Sequence, residues 1–496
     1  MRTDIFIGID MGSTGLKAVA FEAGSGATVA AAGGPLPHIR LPGGGCELAD
    51  LAIREALIEA LRSVSQQLGP RVGEVRALGC TGHGAGLYAL GAQGELLRGR
   101  AVASTDQRAA ARARALAQRH GPVLFEDVGC QPWSGQPGMV AAELLGSGAL
   151  RRGEIRHLLF AKDYLAFLLT GEMASDASDA STAGLLSLAT GQWSPLAFEA
   201  AGLTELAADA LPPLVPSGTV IGRLRPAQAA DCGLPAGLPV AASAIDLLAS
   251  LVAVGAHQRG QAVAVLGTWC VNAVVAQARE PKPPVGAIVN FGPGDQRLYL
   301  ENSPSSMANI AWLARTLQFP SAAAVVECAM TVPLGAEGLR FVPFINGGSA
   351  PPGATAGFIG LAGHHERAHM ARAVVDAVVA LHAQHLSRLA SFGLGAPGRV
   401  AALGGGARDA RLVQLLASML GHAVERCGDD ETGARGAALH AAQAVGAPPE
   451  ALPAPSDLVE PSLRDLPACV DFRTGFAALL DNLAPAFAQL AAGGRP

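Results

Sequence analysis

Residues Gly8–Glu22 read GIDMGSTGLKAVAFE. The run DIFIGID before the turn alternates apolar residues and is rich in Ile, and LKAVAFEA after it alternates again, so each flank reads as a strand. Gly12-Ser13-Thr14-Gly15 between them makes a β-hairpin, with no helix following. Glycines let successive backbone N–H groups turn toward an anion, which suits a phosphate. Asp10 ends the first strand, where a carboxylate could hold Mg2+ through water. Ser13, Thr14 and Lys17 add donors. Taken alone, the same residues also describe a plain surface hairpin.

Working outward, ATVAAAG reads as a third strand, Leu48–Gly69 as a helix with apolar residues at i, i+3, i+4 and i+7, and Val75–His83 as a strand running into a loop. Such alternation indicates an α/β domain. The chain has 496 residues, too many for one core, so two domains are expected. Pro-rich LPPLVPSG and the following GLPAGLPVAASAID mark a transition near residue 240, giving domains 1–240 and 241–496. After it the pattern partly repeats: Gln261–Gln277 is again strand, Gly-Thr turn, strand, a weak internal duplication. Arg399–Gly421 reads as strand, glycine turn and helix. Thr432–Gly446 reads as a small-residue helix able to pack closely under a ligand, and a terminal helix carries Pro485.

Hydrophobic residues make up 50% and charged residues 16%, as in a folded globular chain. Formal net charge is −5 with no basic block, which argues against a nucleic-acid partner. No apolar run reaches the roughly 18 residues of a membrane span. The opening MRTDIFIGID carries an acid ahead of its apolar residues and lacks a small-residue cleavage site. Eight scattered Cys without a C-x-x-C spacing read as reduced thiols. A cytoplasmic protein is expected. The composition permits a homodimer but carries no interface signature.

Several residues are candidates for chemistry. Gly267-Thr268 repeats the hairpin turn. LGGGAR, with Gly405, Gly406 and Ala407, lets backbone lie flat against a ring or phosphate ahead of a helix N-terminus; a tight strand-to-helix turn is the other reading. None of these glycine turns matches a P-loop or a Rossmann pattern. Asp246 stands alone among apolar residues in AASAIDLLASLVAVGA. It reads either as a general base or as a helix cap or satisfied core acid. Asp106 and Arg108 in STDQRA could contact a polyol or serve as exposed capping charges. His364, His365 and His369, with His382 and His385, lack acid or Cys partners at ligand spacing and read as structural or solvated.

In combination these motifs resemble the FGGY carbohydrate kinases of the actin-like ATPase superfamily. The resemblance rests on Asp10-x-Gly-Ser-Thr, Asp246, the Gly267-Thr268 loop and the Gly-Gly-Gly-Ala turn. It also rests on KDYLAFLLTGEMASDASDASTAGLLSL (Lys162–Leu188), FVPFINGGSAPP (Phe341–Pro352) and AGFIGLAGHHERAHMARAVVD (Ala356–Asp376), and it covers about residues 5–445 in order. It implies two actin-like (ribonuclease H-like) α/β domains with an ATP and sugar cleft between them. It further implies ATP and Mg2+ as cofactors and a small-molecule sugar as partner. Asp10 would organise Mg2+. Gly12, Ser13, Thr14 and Lys17 would face the phosphates, with Gly267 and Thr268 on the other lobe. Gly405, Gly406 and Ala407 would lie against adenosine. Asp246 would be the catalytic base, and His83, Gly84, Asp106 and Arg108 would line the sugar cleft.

Within the family, glycerol kinases carry Arg-Glu where this chain has Gly84-Ala85. D-xylulose kinases carry Gln-Met-His at the HGA stretch (His83–Ala85) and a Trp before their Asp-x-Arg, where this chain has Ser104-Thr105. TGHGAGLYAL, STDQRA, LGTWCVN and ENSPSSMANIAWL look closer to the L-xylulose kinase branch. Two features depart from the family pattern: its N-terminal signature Lys is missing around PWSGQPGMVAAELL, and its usual Gly-Gly before the catalytic Asp is Ala244-Ile245. The resemblance implies a kinase acting on a primary hydroxyl of a ketopentose of xylulose type. Kinases of L-ribulose, erythritol or glycerol are the alternatives, as is an actin-like or Hsp70-like ATPase switch.

Overall fold

The computed structural model describes residues 3–280, 282–290, 294–347, 353–394, 398–448 and 450–492. Residues 348–352, the end of the FVPFINGGSAPP segment, lie outside them. The chain forms two compact units: Met1–His257 with Ala287–Arg297 and Glu431–Ala454, and Gln258–Gly286 with Leu298–Asp430 and Pro455–Pro496.

In the first unit, β1 (Ile5–Met11), β2 (Gly15–Glu22) and β3 (Thr28–Pro35) form an antiparallel meander, with the expected turn between β1 and β2. On the other side of β1, β4 (Val75–Gly82) pairs in parallel. Beyond it lies β6 (Pro239–Ala242), parallel to β4, and then β5 (Val220–Arg223), antiparallel to β6. Side chains alternate across β1, so each face has its own partner. Ile5, Ile7 and Ile9 pack with Ile53, Leu57, Leu61 and Val64 of α1 (Asp50–Leu68), the apolar stripe read from the sequence. Phe6 joins Val19, Phe21 and Ala77 in a second cluster with Ala434, Ala438 and Ala441.

Those three alanines belong to the small-residue helix Thr432–Ala444. Before it in the chain come α2 (Ala161–Thr170), α3 (Ala177–Thr182) and α4 (Asp246–Ala253), so we number it α5. Helix α5 packs on β1, β4 and α4 at very close range. A Cβ built on Gly8 would lie 1.7 Å from the Ala434 carbonyl oxygen, and one on Gly79 2.0 Å from that of Ala437. One on Gly436 of the helix itself would lie 1.9 Å from the carbonyl oxygen of Ala249 in α4. Glycine is required wherever backbone meets backbone this closely. The consequence is positional: the C-terminal end of β1, the start of α4 and the start of α5 share one end of the sheet.

In the second unit the sheet runs β9 (Gln296–Ser303), β8 (Cys270–Gln277), β7 (Gln261–Leu266), β10 (Arg399–Leu403), β11 (Val424–Cys427) and β12 (Ser456–Val459). Strands β7 and β8 form an antiparallel hairpin. Strands β10 and β11 add in parallel, and β12 returns antiparallel. This is the progression of the first unit, β2-β1-β4-β6-β5, repeated. The duplication suspected from two Gly-Thr turns is thus a duplication of sheet topology. Among the described residues no helix is long and apolar enough to cross a membrane.

Candidate active site

Strand β1 delivers Asp10 to its C-terminal end, opposite Lys17 of β2 in the antiparallel register and beside Thr81 of β4 in the parallel one. The β1–β2 turn then opens onto a cavity of about 980 Å3 whose walls include Asp10, Ser13, Thr14, Lys17, Asp246 and Glu431. The first unit therefore brings together the hairpin residues and Asp246, which are far apart in sequence.

Asp10 Oδ1 is buried and has no hydrogen-bond partner among the described residues. Burial raises the Asp10 pKa to about 6; the Lys17 ammonium opposes that rise and the Glu431 carboxylate adds to it. Lys17 Nζ lies 2.5 Å from Glu431 Oε2. A Cβ on Gly433 would stand 2.5 Å from Asp10 Oδ2, so glycine at that position keeps the carboxylate clear. An unpartnered carboxylate oxygen beside a glycine turn fits a divalent cation and phosphate oxygens, since Mg2+ takes one or two carboxylates and completes its shell with phosphate and water.

Asp246 is the first residue of α4, where the helix N-terminus favours negative charge. Its Oδ1 accepts the Leu247 backbone N–H at 2.6 Å. Burial, followed by repulsion from Asp10, nevertheless raises its pKa to about 7. The two residues before it are pinned. Thr81 Oγ1 donates to the Ala244 carbonyl at 2.7 Å, and Ser178 Oγ of α3 accepts the Ile245 N–H at 3.1 Å. Both departures from the family's Gly-Gly are thereby held by side chains. Replacing Ser178 by Ala leaves a buried N–H unpaired, and we expect a loss of about 1–3 kcal/mol in urea unfolding together with reduced turnover.

The sugar-cleft candidates His83, Gly84, Asp106 and Arg108 all stand outside the walls of the cavity of Asp10 and Asp246. His83 is 7% exposed, and burial depresses its pKa to about 4, so the ring is neutral at pH 7. Gly84 has no room for a side chain: a Cβ there would meet Thr182 Cγ2 at 2.8 Å. Ala85, next in the turn, takes φ 61°, with its N–H held by Asp179 Oδ1 at 2.9 Å. Asp106 and Arg108 are engaged elsewhere. Asp106 is fully buried and accepts the N–H groups of Cys46 at 2.6 Å and of Arg108 at 2.9 Å. Arg108 donates to buried Glu47 at 2.8 Å.

In the second unit the β7–β8 turn carries Gly267 and Thr268, whose carbonyls accept the N–H groups of Met307 at 3.0 Å and Ser306 at 2.9 Å. Gly405 faces open space. A Cβ on Gly406 would meet Leu266 Cβ and Met307 Sδ at 2.8 Å, and Ala407 is buried. His382 is fixed between Asn272 Oδ1 and Ser306 Oγ, both at 2.9 Å, in keeping with a structural histidine.

Sequence reasoning passed over Glu431. It precedes a small-residue helix, but its partner Lys17 is remote in the chain and no local pattern joins them. It also passed over the buried cluster in which Lys162 Nζ meets Asp163 at 2.5 Å and Asp176 at 2.9 Å. That cluster anchors α3, and with it Ser178 and Asp179.

Comparison with known proteins defines the class. Residues 5–253 match the N-terminal domain, and residues 262–445 the C-terminal domain, of the FGGY family of carbohydrate kinases. The chain belongs to that family and is a carbohydrate kinase. Among its relatives, the L-xylulose/3-keto-L-gulonate kinase of Escherichia coli (strain K12) is 28% identical over 449 residues, covering 90% of this chain and 89% of its own. The xylulose kinase of the same organism is 31% identical over 448 residues, covering 88% and 89%. The solved ligand-bound xylulose kinase from Lactobacillus acidophilus matches with a TM-score of 0.89 at 20% identity, over 98% of this chain and 99% of that one. That match is a likeness of fold, and it agrees with the two actin-like α/β domains expected from the motifs.

Proposed function

We propose that the protein transfers the terminal phosphoryl group of ATP to a primary hydroxyl of a ketopentose of xylulose type, with Asp246 as general base. The observation that carries this reading is the shared cavity. A carboxyl group with a pKa near 7 stands across from a glycine turn that carries Asp10, Ser13, Thr14 and Lys17. A general base works best when its pKa lies close to the working pH. Asp246 would accept the hydroxyl proton as the oxygen attacks phosphorus. The backbone of Gly12, the hydroxyls of Ser13 and Thr14 and the Lys17 ammonium would orient the phosphate chain, and orientation with charge stabilisation supplies most of phosphoryl-transfer catalysis. Asp10 would hold Mg2+, which when bound neutralises charge on the phosphate oxygens. In the second unit, Gly267 and Thr268 are proposed as phosphate contacts. The open backbone at Gly405, with Gly406 and Ala407 packed behind it, is proposed as the adenosine support.

His83 and Gly84 are the residues we assign to the sugar. Asp106 and Arg108 would act on it through the loop they hold, since the Asp106 carboxylate and the Arg108 Nε and Nη2 are already paired. The names of the relatives favour a xylulose over glycerol, erythritol or L-ribulose. Coupled ADP release measured over D-xylulose, L-xylulose, L-ribulose, erythritol and glycerol tests this. One xylulose should exceed glycerol in kcat/KM by at least about 10-fold, well inside the roughly 10⁴–10⁵ by which a site that hydrogen-bonds a substrate hydroxyl rejects an analogue lacking it. ADP release indifferent to every sugar would overturn the proposal.

A further inference from the structure

The first unit contains a second cavity, of about 350 Å3, that shares no residue with the walls of the first. Its polar lining includes Asp176, Thr190, Ser217 and Asn290, and its apolar side includes Leu188 and Leu214. Asn290 is 5% exposed, and its Oδ1 has no hydrogen-bond partner among the described residues. A buried acceptor without a donor is unfavourable, and this one belongs to a residue of the cavity wall.

The charges on the walls are already engaged. Asp176 pairs with Lys162 at 2.9 Å and accepts the Ser217 hydroxyl at 3.1 Å. Arg297 turns its guanidinium onto the carbonyls of Leu188, Gly294 and Gln296. What the lining offers a ligand is hydroxyl and amide groups, which both donate and accept, facing an aliphatic surface. That combination suits the hydroxyls and C–H face of an uncharged polyhydroxylated molecule, and the volume suits one of monosaccharide size.

We propose that this cavity binds such a molecule and that its occupancy is felt at Asp246. Helix α3 joins the two places. Asp176, immediately before it, lines the cavity, and Ser181 Oγ accepts the Asn290 N–H at 3.0 Å. From the same helix, Ser178 holds the N–H of Ile245 and Asp179 that of Ala85. Binding to the cavity does not depend on the kinase reading. The meaning of the coupling for catalysis does.

The test is calorimetric binding of xylitol and D-glucose, up to about 50 mM to cover millimolar affinities, to the full chain and to Asp246→Asn, Asn290→Leu and Thr190→Val. At least one probe should bind a site that survives Asp246→Asn and is weakened about tenfold or more by Asn290→Leu. Thr190→Val provides the wall variant if Asn290→Leu does not fold. Neither probe binding, binding equal in all four proteins, or binding lost only in Asp246→Asn would each overturn the site. Hydrogen exchange reads the coupling: occupancy should slow exchange of the Ile245 amide in Asp246→Asn, and unchanged exchange with the probe bound would refute it. Failure of Asp246→Asn to lose turnover would instead strike the kinase reading and leave the binding result intact.

Discussion

Asp246→Asn is expected to lower turnover by about 10²–10⁴-fold, the contribution of a positioned base, while leaving ATP affinity unchanged. The amide keeps the shape of the side chain and its bond from Leu247 but cannot take a proton. A second signature follows from the raised pKa of about 7. In the parent protein kcat/KM should climb as pH passes through 7 and the carboxylate forms; the variant's residual rate should lack that step. Stability should move the other way. A carboxyl whose folded-state pKa lies above its usual value near 4 favours the folded chain fully only at low pH, and that advantage is lost as pH rises through the folded pKa. The Asn variant carries no such charge, so its melting temperature should match the parent near pH 4 and exceed it at pH 8. Near-parental turnover at pH 8 would remove Asp246 from the mechanism.

The parts of this site that were legible in sequence are those whose signal is local. The Gly12–Gly15 turn between alternating strands could be read because a hairpin needs only its own residues. The stripe of Ile53, Leu57, Leu61 and Val64 could be read because period and burial coincide within one helix. Asp246 stood out as a lone acid among apolar neighbours, but its pKa depends on Asp10, and that proximity exists only once β1 and α4 end at the same edge of the sheet. The small residues of α5 announced close packing without saying against what. The answer, Gly8 and Gly79, lies at the opposite end of the chain. Asp106 illustrates the converse. An Asp-x-Arg pattern ahead of a helix looks like a ligand-binding pair, yet the Cys46 amide and Glu47, contributed by an earlier strand, take up its polar groups.

That close packing leads to a large stability effect for a single methyl group. Gly8→Ala and Gly79→Ala should each cost about 3 kcal/mol or more, at or beyond the upper end of ordinary overpacking. In both the new Cβ would stand 2.0 Å or less from a carbonyl oxygen of α5. The obstacle is helix backbone, which cannot rotate aside as a side chain can. To relieve it, α5 must lift away from the sheet and loosen Phe6, Phe21, Ala434 and Ala438 together. For a domain whose total stability is about 5–15 kcal/mol, that is a large fraction. Gly34→Ala is the control. A Cβ there meets nothing within 4 Å, and the midpoint of urea unfolding should be nearly unchanged. Gly433→Ala separates packing from function. Its new Cβ meets Asp10 Oδ2, the far end of a side chain that can swing away. Folding should therefore suffer less than in Gly8→Ala, while turnover falls because Asp10 is displaced. If Gly8→Ala instead unfolds at the parental urea concentration, α5 does not lie against β1 at this distance, and the shared placement of Asp10 and Glu431 loses its support.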